Sequence, residues 1–380
     1  MLKIGIVGAR GLSTVLGFRD IEGVDITALC DLNEDVLKQY SQKYNIPHTY
    51  RVYEDMLDSD IDAVVIGSPM QCHVPHAIAA LEAGKHVMSE VTAGVTMDEL
   101  WWLIENVEKS GKVYMYAENY CYMPDMQVVR NMVRKGVFGQ VYYGEGEYLH
   151  ELNGLFVYGN GKSSWRSYWQ CGKRGNFYPT HSLGPVMQWF EGDRIASIST
   201  FSPGQHYVSS KVSNVRLRQD DTTVTMINME SGGLIQIRVD CMSLRPHNLT
   251  YYQLQGTQGC YEAPRGLGDV AKIAVNDGDP NGFREWKPLR DYYDKYMPER
   301  YMKATDEQKN AGHWGGDFFI VQDFVNAIRT GCKPEIDVYQ AAEWTAVGLL
   351  SELSVTNGNR LMEMPKFRKN MPLSEQIIKL

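Results

Sequence analysis

The 380-residue sequence predicts an α/β fold with two domains. The first is a doubly wound parallel sheet, and the second is a larger α+β domain with an open, mainly antiparallel sheet. Over residues 1–122, short apolar runs alternate with helical patterns, as in parallel strands joined by helical crossovers. From about residue 139, longer alternating stretches predominate, as in antiparallel strands that bury one face. We therefore expect domains at 1–122 and 123–380, with the C-terminal helices packing back on the first domain.

The first domain is predicted from five apolar runs of strand length. They cover residues 3–7, 25–30, 63–66, 86–89 and 113–117, and amphipathic helical patterns cover 34–44, 74–83 and 97–109. The run 63–66 (Ala-Val-Val-Ile) is apolar at every position, which is typical of a parallel strand buried on both faces.

The second domain is predicted from alternating stretches and two long helices. Strands are expected at 140–148, 222–228, 233–239 and 250–255, with a hairpin turn at 231–233 (Ser-Gly-Gly). Helical periodicity returns at 318–330 and 338–356, and each helix ends near a glycine, Gly331 and Gly358. The segment 264–310, rich in Gly, Pro and charge, is predicted as a long surface excursion.

Composition and charge exclude several classes of protein. Hydrophobic residues make up 43% of the chain and charged residues 22%, which excludes dominant disorder. No stretch approaches the ~18 uninterrupted apolar residues of a membrane-spanning helix. The formal net charge of −8 offers no broad attraction for nucleic acid. The first eight residues read as a strand and not as a signal peptide, and the seven dispersed cysteines include no Cys-x-x-Cys pair. We expect a cytoplasmic protein with free thiols that acts on small molecules.

A glycine-containing turn follows the first predicted strand. Residues 7–13 (Val-Gly-Ala-Arg-Gly-Leu-Ser) resemble a dinucleotide-binding turn, in which glycines let the backbone approach a pyrophosphate. Arg10 and Ser13 occupy the second and third glycine positions of the full fingerprint, so an ordinary strand-to-helix turn remains an alternative. Asp31 ends the second strand, where a carboxylate accepts hydrogen bonds from ribose and repels a 2′-phosphate; this favours NAD over NADP, although Arg10 weakens the preference. The expected cofactor contacts here are Gly8, Arg10, Gly11, Leu12 and Asp31.

Polar residues also follow the next two central strands. Residues 67–73 (Gly-Ser-Pro-Met-Gln-Cys-His) come after one of them, and residues 84–92 contain a strand that ends at Glu90. The carboxyl ends of central strands place ligands in open α/β sheets. Ser68, His73 and Glu90 are therefore expected to line the cofactor cleft, although His73 would also serve simply to start a helix.

These motifs together resemble the Gfo/Idh/MocA oxidoreductases. The resemblance rests on the turn, the strand-end Asp31, Ser-Pro-x-x-x-His at 68–73, Gly-Lys-His-Val-x-x-Glu at 84–90 and the run 324–334 with Asp337. It covers nearly the whole chain. It implies an NAD-binding Rossmann domain, then an α/β domain on an open antiparallel sheet, and a homodimer or homotetramer formed through that sheet.

Two departures from that family indicate a branch of it. Val91 stands where ordinary members have the catalytic lysine of Glu-Lys-Pro, and the usual Asp and His pair is missing from residues 175–185. Residues 178–185 (Tyr-Pro-Thr-His-Ser-Leu-Gly-Pro) and 118–122 (Glu-Asn-Tyr-Cys-Tyr) instead resemble the NAD-dependent α-N-acetylgalactosaminidases of glycoside hydrolase family 109, with Ser182 in place of a glycine.

The resemblance implies a glycosidase that uses redox chemistry. NAD, tightly bound and recycled, takes a hydride from carbon 3 of the sugar, and a base then removes the acidified proton at carbon 2. The glycosidic oxygen leaves by elimination, water adds, and the hydride returns. No carboxylate pair flanking the bond is then required. A dehydrogenase that releases NADH, or a cofactor-binding protein without catalysis, remains an alternative.

The candidate site residues follow from matching positions. Tyr148 is the candidate base, and His181 with Tyr178 is the candidate acid-base group at carbon 3; His150 shares the strand face of Tyr148 and is expected to bind sugar hydroxyls. A structural role is the alternative for two of them, with Tyr148 facing the core or His181 buried and satisfied. The remaining expected contacts are Trp165 and Arg166 for cofactor and sugar, and Asn119 and Glu90 for the cofactor; on the sequence alone, Trp165 would suit the core better. His313 and Asp317 are of ligand type but make no metal site by themselves, so no metal is expected.

Overall fold

The fold is that of a computed structural model, which describes residues 1–245, 248–276, 278 and 281–369. The described residues divide into two compact units. The first comprises 1–123, 303–342 and 367–369; the second comprises the described residues of 124–302 together with 343–366. Each unit contains one sheet.

In the described residues the first unit has a six-stranded sheet whose strands all pair in parallel. The strands are β1 (Leu2–Val7), β2 (Val24–Cys30), β3 (His48–Tyr50), β4 (Ala63–Ile66), β5 (His86–Ser89) and β6 (Tyr114–Tyr116). Their order, β3-β2-β1-β4-β5-β6, reverses direction between β1 and β4, where such sheets bind ligands. The predicted parallel Rossmann sheet is confirmed. The sequence missed β3, because its residues are largely exposed and form no apolar run.

Five helices connect these strands. They are α1 (Val15–Arg19), α2 (Glu34–Lys43), α3 (Tyr53–Leu57), α4 (His73–Glu82) and α5 (Met97–Ser110). The long helix α5 begins with a capping box between Thr96 and Glu99 and ends at Gly111, whose φ of 63° favours glycine. The three predicted helices are confirmed, whereas α1 and α3 have only five residues each and too little periodicity to predict.

The second unit contains a nine-stranded sheet within the described residues. Its strands are β7 (Val141–Leu149), β8 (Ile195–Phe201), β9 (Thr222–Met229), β10 (Leu234–Asp240), β11 (Asn248–Gly256), β12 (Gly259–Glu262), β13 (Lys272–Val275), β14 (Lys287–Pro288) and β15 (Met362–Glu363). The order is β14-β13-β12-β11-β7-β10-β9-β8-β15. Neighbours are antiparallel except β7 and β10, which pair in parallel. This confirms the expected, mainly antiparallel sheet.

One expectation about this sheet is wrong. The segment 264–310 is not only a surface excursion, because β13 and β14 extend the sheet from within it. Ile273 is fully buried in β13, and Tyr292, Tyr296 and Tyr301 are buried farther along. Its polar composition concealed a short apolar strand of four residues.

Helix packing in the second unit depends on glycines in β7. Its helices are α6 (Pro124–Arg134), α7 (Trp165–Tyr168), α8 (Thr180–Met187), α9 (Tyr293–Tyr296) and α10 (Glu299–Lys303). A Cβ on Gly146 would lie 1.9 Å from the carbonyl oxygen of Ser182, and one on Gly144 would lie 2.4 Å from Val186 Cγ1. Only glycine at these positions lets α8 lie so close to the sheet.

The remaining helices follow in the C-terminal part of the chain: α11 (Asp306–Lys309), α12 (Gly316–Thr330) and α13 (Val338–Thr356). Helix α12 belongs to the first unit and packs on α1, where a Cβ on Gly17 would lie 2.5 Å from Val321 Cγ2. It ends at Gly331, with φ of 68°. Among the described residues, no helix combines the length and apolar character needed to cross a membrane.

Candidate active site

In the first unit, the turn after β1 lies directly against the end of β4. Gly8 has φ of 85°, and a Cβ there would lie 2.5 Å from the carbonyl oxygen of Gly67. A Cβ on Gly67 would in turn lie 2.2 Å from the amide nitrogen of Gly11. Leu12 is buried beside them. The turn therefore keeps the close backbone approach that a dinucleotide site requires, although two of the three fingerprint glycines are replaced.

The carboxylate of Asp31 lies beside this turn. Its Oδ2 accepts a hydrogen bond from Ala9 N at 3.2 Å, and its Oδ1 accepts one from Asn33 N at 2.9 Å. Arg10 faces other partners: it donates to Ser13 Oγ at 2.6 Å and lies 3.5 Å from Glu90 Oε1. Asp31 can thus offer its carboxylate to a ribose, and the effect of Arg10 on the preference for NAD stays a prediction.

Ser68 and His73 connect two loops at the same edge of the sheet. His73 is buried, and its Nδ1 and Nε2 lie 2.7 Å and 2.8 Å from the carbonyl oxygens of Thr92 and Ser68. Ser68 Oγ lies 3.0 Å from His76 Nδ1. Burial lowers the pKa of His73, against the opposing effect of its carbonyl partners. The ring therefore ties the loops after β4 and β5 together.

Glu90, Asn119 and Asp317 form a buried polar cluster that the sequence did not predict as a group. Asn119 Nδ2 donates to Asp317 Oδ1 at 2.5 Å, and His313 Nδ1 lies 2.9 Å from Asp317 Oδ2. Arg10 is 3.8 Å from the same Asp317 oxygen. Burial raises the pKa of Glu90 to about 7, although the charge of Arg10 opposes this.

These residues fit a dinucleotide. The turn offers closely packed backbone, Asp31 offers a carboxylate, and Asn119 Oδ1 is buried without a hydrogen-bond partner among the described residues. No group of three His, Cys, Asp or Glu side chains in the described parts of the chain is arranged to hold a metal ion.

In the second unit, the four predicted catalytic and sugar-binding side chains lie together. Tyr148 Oη is 2.6 Å from His150 Nδ1, and Tyr178 Oη is 3.3 Å from His181 Nε2. The Tyr148 ring lies 5.6 Å from that of Tyr178 and 5.0 Å from that of His181, centroid to centroid. Tyr148 and His181 are each 5% exposed. Each phenol thus lies beside an imidazole, and such a pair can transfer a proton between oxygen and nitrogen.

Strand and helix geometry explain this meeting. Successive residues of a strand face opposite sides, so Gly144, Gly146 and Tyr148 share the face that α8 covers. The two glycines admit α8, and the helix then places His181 over the next side chain, Tyr148. Tyr252 on the neighbouring strand donates its hydroxyl to the carbonyl oxygen of His181, which fixes the helix on the sheet.

Trp165 and Arg166 lie on the short helix α7 of the same unit. The guanidinium carbon of Arg166 lies 4.3 Å from the centre of the Trp165 ring. Burial lowers the pKa of Arg166, whereas the phenols of Tyr178 and Tyr148 oppose this lowering. Trp165 is partly exposed, so it is not a closed core residue. Both side chains are partly exposed, and Arg166 lies near enough to the two tyrosines for their charges to act on it.

The loop that carries Tyr178 is held by partners that no local motif revealed. Buried Asp220 accepts hydrogen bonds from Gly175 N at 2.6 Å and from Arg174 Nε at 3.0 Å. Asn176 N donates to Ser351 Oγ at 2.6 Å. These contacts join segments far apart in the sequence, and the only local signal was Gly175, whose φ is 67°.

Comparison with known proteins identifies the family. Residues 2–118 match the model for an oxidoreductase family with an NAD-binding Rossmann fold (Gfo/Idh/MocA), and residues 122–372 match the C-terminal domain of glycosyl hydrolase 109. The chain is 33% identical to an α-N-acetylgalactosaminidase of Shewanella oneidensis, covering 97% of this chain and 85% of that relative. It is also 33% identical, with the same coverage, to a glycosyl hydrolase family 109 protein of Shewanella putrefaciens.

Solved structures share the fold at lower sequence identity. An oxidoreductase domain protein from Kribbella flavida has a TM-score of 0.78 at 21% identity, covering 96% of this chain and 99% of that one. A levoglucosan dehydrogenase in complex with NADH and L-sorbose has a TM-score of 0.79 at 17% identity, covering 97% and 100%. Together with the family models, these matches confirm the resemblance drawn from the motifs: the chain belongs to glycosyl hydrolase family 109, and its N-terminal domain is an NAD-binding Rossmann domain of the Gfo/Idh/MocA family.

Proposed function

We propose that this protein is an NAD-dependent glycosidase that cleaves its sugar substrate by transient oxidation at carbon 3. The observation that carries the proposal is the cluster of Tyr148, His150, Tyr178 and His181 in a chain that has Val91 in place of the family's catalytic lysine. Two hydrogen-bonded phenol–imidazole pairs supply proton acceptors without that lysine. The α-N-acetylgalactosaminidase among the relatives supports the same reaction class.

The cofactor supplies one kind of chemistry: bound NAD would accept a hydride from the sugar and return it at the end of the cycle. Asp31 would hold the adenosine ribose through its carboxylate, which favours NAD over NADP. Asn119 and Glu90 would contact the rest of the cofactor, and the backbone at Gly8 and Gly11 would receive the pyrophosphate.

The second unit would bind the sugar and move its protons. His181 would take the proton of the hydroxyl at carbon 3. Tyr178 would hold the His181 ring in place, since its Oη lies 3.3 Å from His181 Nε2. Tyr148 would pass its hydroxyl proton to His150 Nδ1, 2.6 Å away, and the resulting phenolate would then remove the proton from carbon 2. Arg166 and Trp165 would bind sugar oxygens and the apolar ring face, respectively.

One assay tests the proposal against a simple sugar dehydrogenase. The purified chain is incubated with aryl α- and β-glycosides in deuterated water while released phenol and NADH absorbance are followed together. Phenol release with deuterium at carbon 2 of the product and no net NADH is the expected result. Stoichiometric NADH without cleavage would make the protein a dehydrogenase, and neither signal with any glycoside would leave only cofactor binding.

We also propose that the protein is a homodimer or homotetramer formed through the open sheet of its second unit. Light scattering coupled to gel filtration measures the mass of the assembly in solution, and a monomeric mass would contradict the proposed oligomer.

A further inference from the structure

The carboxylate of Asp317 has two hydrogen-bond partners and a nearby guanidinium in the interior of the first unit. Its Oδ1 accepts from Asn119 Nδ2 at 2.5 Å, its Oδ2 lies 2.9 Å from His313 Nδ1, and Arg10 Nη1 lies 3.8 Å away. Burial alone would raise the pKa of Asp317, but the hydrogen bond and charge of His313, with help from Arg10 and Asn119, bring it well below its ordinary value. Asp317 is therefore ionised and can only accept hydrogen bonds.

This acceptor determines the orientation of the Asn119 amide. An amide has a donor side, Nδ2, and an acceptor side, Oδ1. Turning the amide over would place Oδ1 against the carboxylate of Asp317, oxygen against oxygen, so Nδ2 must face Asp317. Asn119 is only 2% exposed, and its Oδ1 has no hydrogen-bond partner among the described residues. A buried acceptor without a partner is costly, which points to a donor that comes from a ligand.

The loop before α12 is shaped to hold this pair. A Cβ on Gly312 would lie 2.3 Å from Asp317 Oδ2, and one on Gly316 would lie 2.5 Å from the carbonyl oxygen of Asn119. His313 and Trp314, neither of them glycine, both have φ of 54°. Left-handed backbone at two successive non-glycine residues is strained and persists where the surroundings require it. Here it brings the His313 ring onto Asp317.

We propose that Asp317, supported by His313, is a positioning residue of the cofactor site: it fixes the Asn119 amide so that Oδ1 accepts a hydrogen bond from bound NAD. The donor is an N–H of the nicotinamide carboxamide or a hydroxyl of the adjoining ribose. Asn119 follows β6 at the carboxyl edge of the parallel sheet, where such folds bind nucleotides. The inference rests on the proposed binding of NAD and not on the proposed glycosidase reaction.

A double-mutant cycle on the full chain tests it. The purified protein is freed of nucleotide with charcoal, and NAD⁺ is titrated by calorimetry into wild type, Asp317→Asn, Asn119→Ala and the double variant. Asp317→Asn permits either amide orientation and should weaken NAD⁺ binding about 10-fold. In the Asn119→Ala background the same change should have no further effect, because Asp317 acts through Asn119. Titrating ADP-ribose identifies the donor: an equal loss points to the ribose, and a loss for NAD⁺ alone points to the carboxamide.

Asp337→Asn is the matched control. Asp337 is another buried carboxylate of the first unit, accepts from the backbone nitrogens of Tyr339 and Gln340, and does not contact Asn119. It should lower the melting temperature without changing the NAD⁺ affinity. If Asp317→Asn fails to fold, His313→Ala replaces it, since His313 is partly exposed, with about a 3-fold loss expected.

The outcomes separate this inference from the proposed function. A wild-type chain that binds no NAD⁺ would overturn both. Unchanged affinity in folded Asp317→Asn, or the same loss with and without the Asn119 side chain, would overturn the positioning role alone.

Discussion

Replacing Tyr148 by Phe removes one oxygen from the second-unit cluster and leaves the ring in place. The phenol contacts His150 Nδ1 at 2.6 Å, whereas the ring contacts with Tyr178 and His181, at 5.6 Å and 5.0 Å, do not need the hydroxyl. One lost hydrogen bond should cost about 1 kcal/mol of folding free energy. Loss of a proton acceptor should cost about 10²- to 10⁴-fold in rate, equivalent to about 3–5 kcal/mol of activation free energy. The rate should therefore fall far more than the stability.

The measurement is solvent deuterium exchange at carbon 2, followed by mass spectrometry beside aryl-glycoside cleavage and thermal unfolding. Tyr143→Phe is the matched control, because Tyr143 lies on the same strand but on the opposite face, with its hydroxyl 3.2 Å from Glu145 Oε2. It should exchange at the wild-type rate. An exchange rate in Tyr148→Phe within about threefold of wild type would refute the assignment of Tyr148 as the base.

Three further outcomes follow from the same geometry. Burial raises the pKa of Glu343 from 4.5 to about 7, so the folded protein loses stability as pH rises through that interval. Glu343→Gln should therefore raise the free energy of unfolding at pH 8 by at most about 3 kcal/mol, seen as a higher melting temperature, and should have little effect near pH 4.5. An equal effect at both pH values would contradict this. Asp31→Ser should narrow the preference for NAD over NADP by about 10-fold or more in competitive binding, whereas an unchanged ratio would remove Asp31 from the ribose site. Gly146→Ala would place Cβ 1.9 Å from the Ser182 carbonyl oxygen and should lower the free energy of unfolding by about 3 kcal/mol. Gly154→Ala is the control: a Cβ there would meet nothing within 4 Å, so its melting temperature should not change. Similar melting temperatures for the two variants would contradict the packing argument.

Much of the first unit could be predicted because its signals are local. The apolar run 63–66 is buried along its whole length as β4, and α5 has its capping box and terminal glycine in the sequence itself. Strand β13 escaped prediction because its four residues lie within a polar segment, and its pairing with β12 determines it. Short elements that depend on a partner strand carry little information of their own.

The candidate site also contains some contacts that the sequence could predict and others that it could not. His150 could be placed near Tyr148 because residues two positions apart on a strand share a face. The contact of Asn119 with Asp317 could not be predicted, because 198 positions separate them in the chain. The same holds for Asp220, whose hold on Gly175 depends on how two distant segments pack. Residue types can nominate such groups, but only the packing decides which of them meet.

Two departures from the common family motifs are connected through charge. By resemblance to the family motifs, Arg10 stands at a glycine position of the dinucleotide turn and Val91 stands at the position of the catalytic lysine. Glu90 and Asp317 are both buried, and the Arg10 guanidinium lies 3.5 Å and 3.8 Å from them. Two buried carboxylates are unstable without a nearby cation, and Arg10 supplies that charge. The side chain of Val91 is itself buried and adds no further cation. As motifs, the two replacements are unrelated; in electrostatic terms, the cation beside Glu90 and Asp317 is the guanidinium of Arg10, and the buried side chain at position 91 carries no charge.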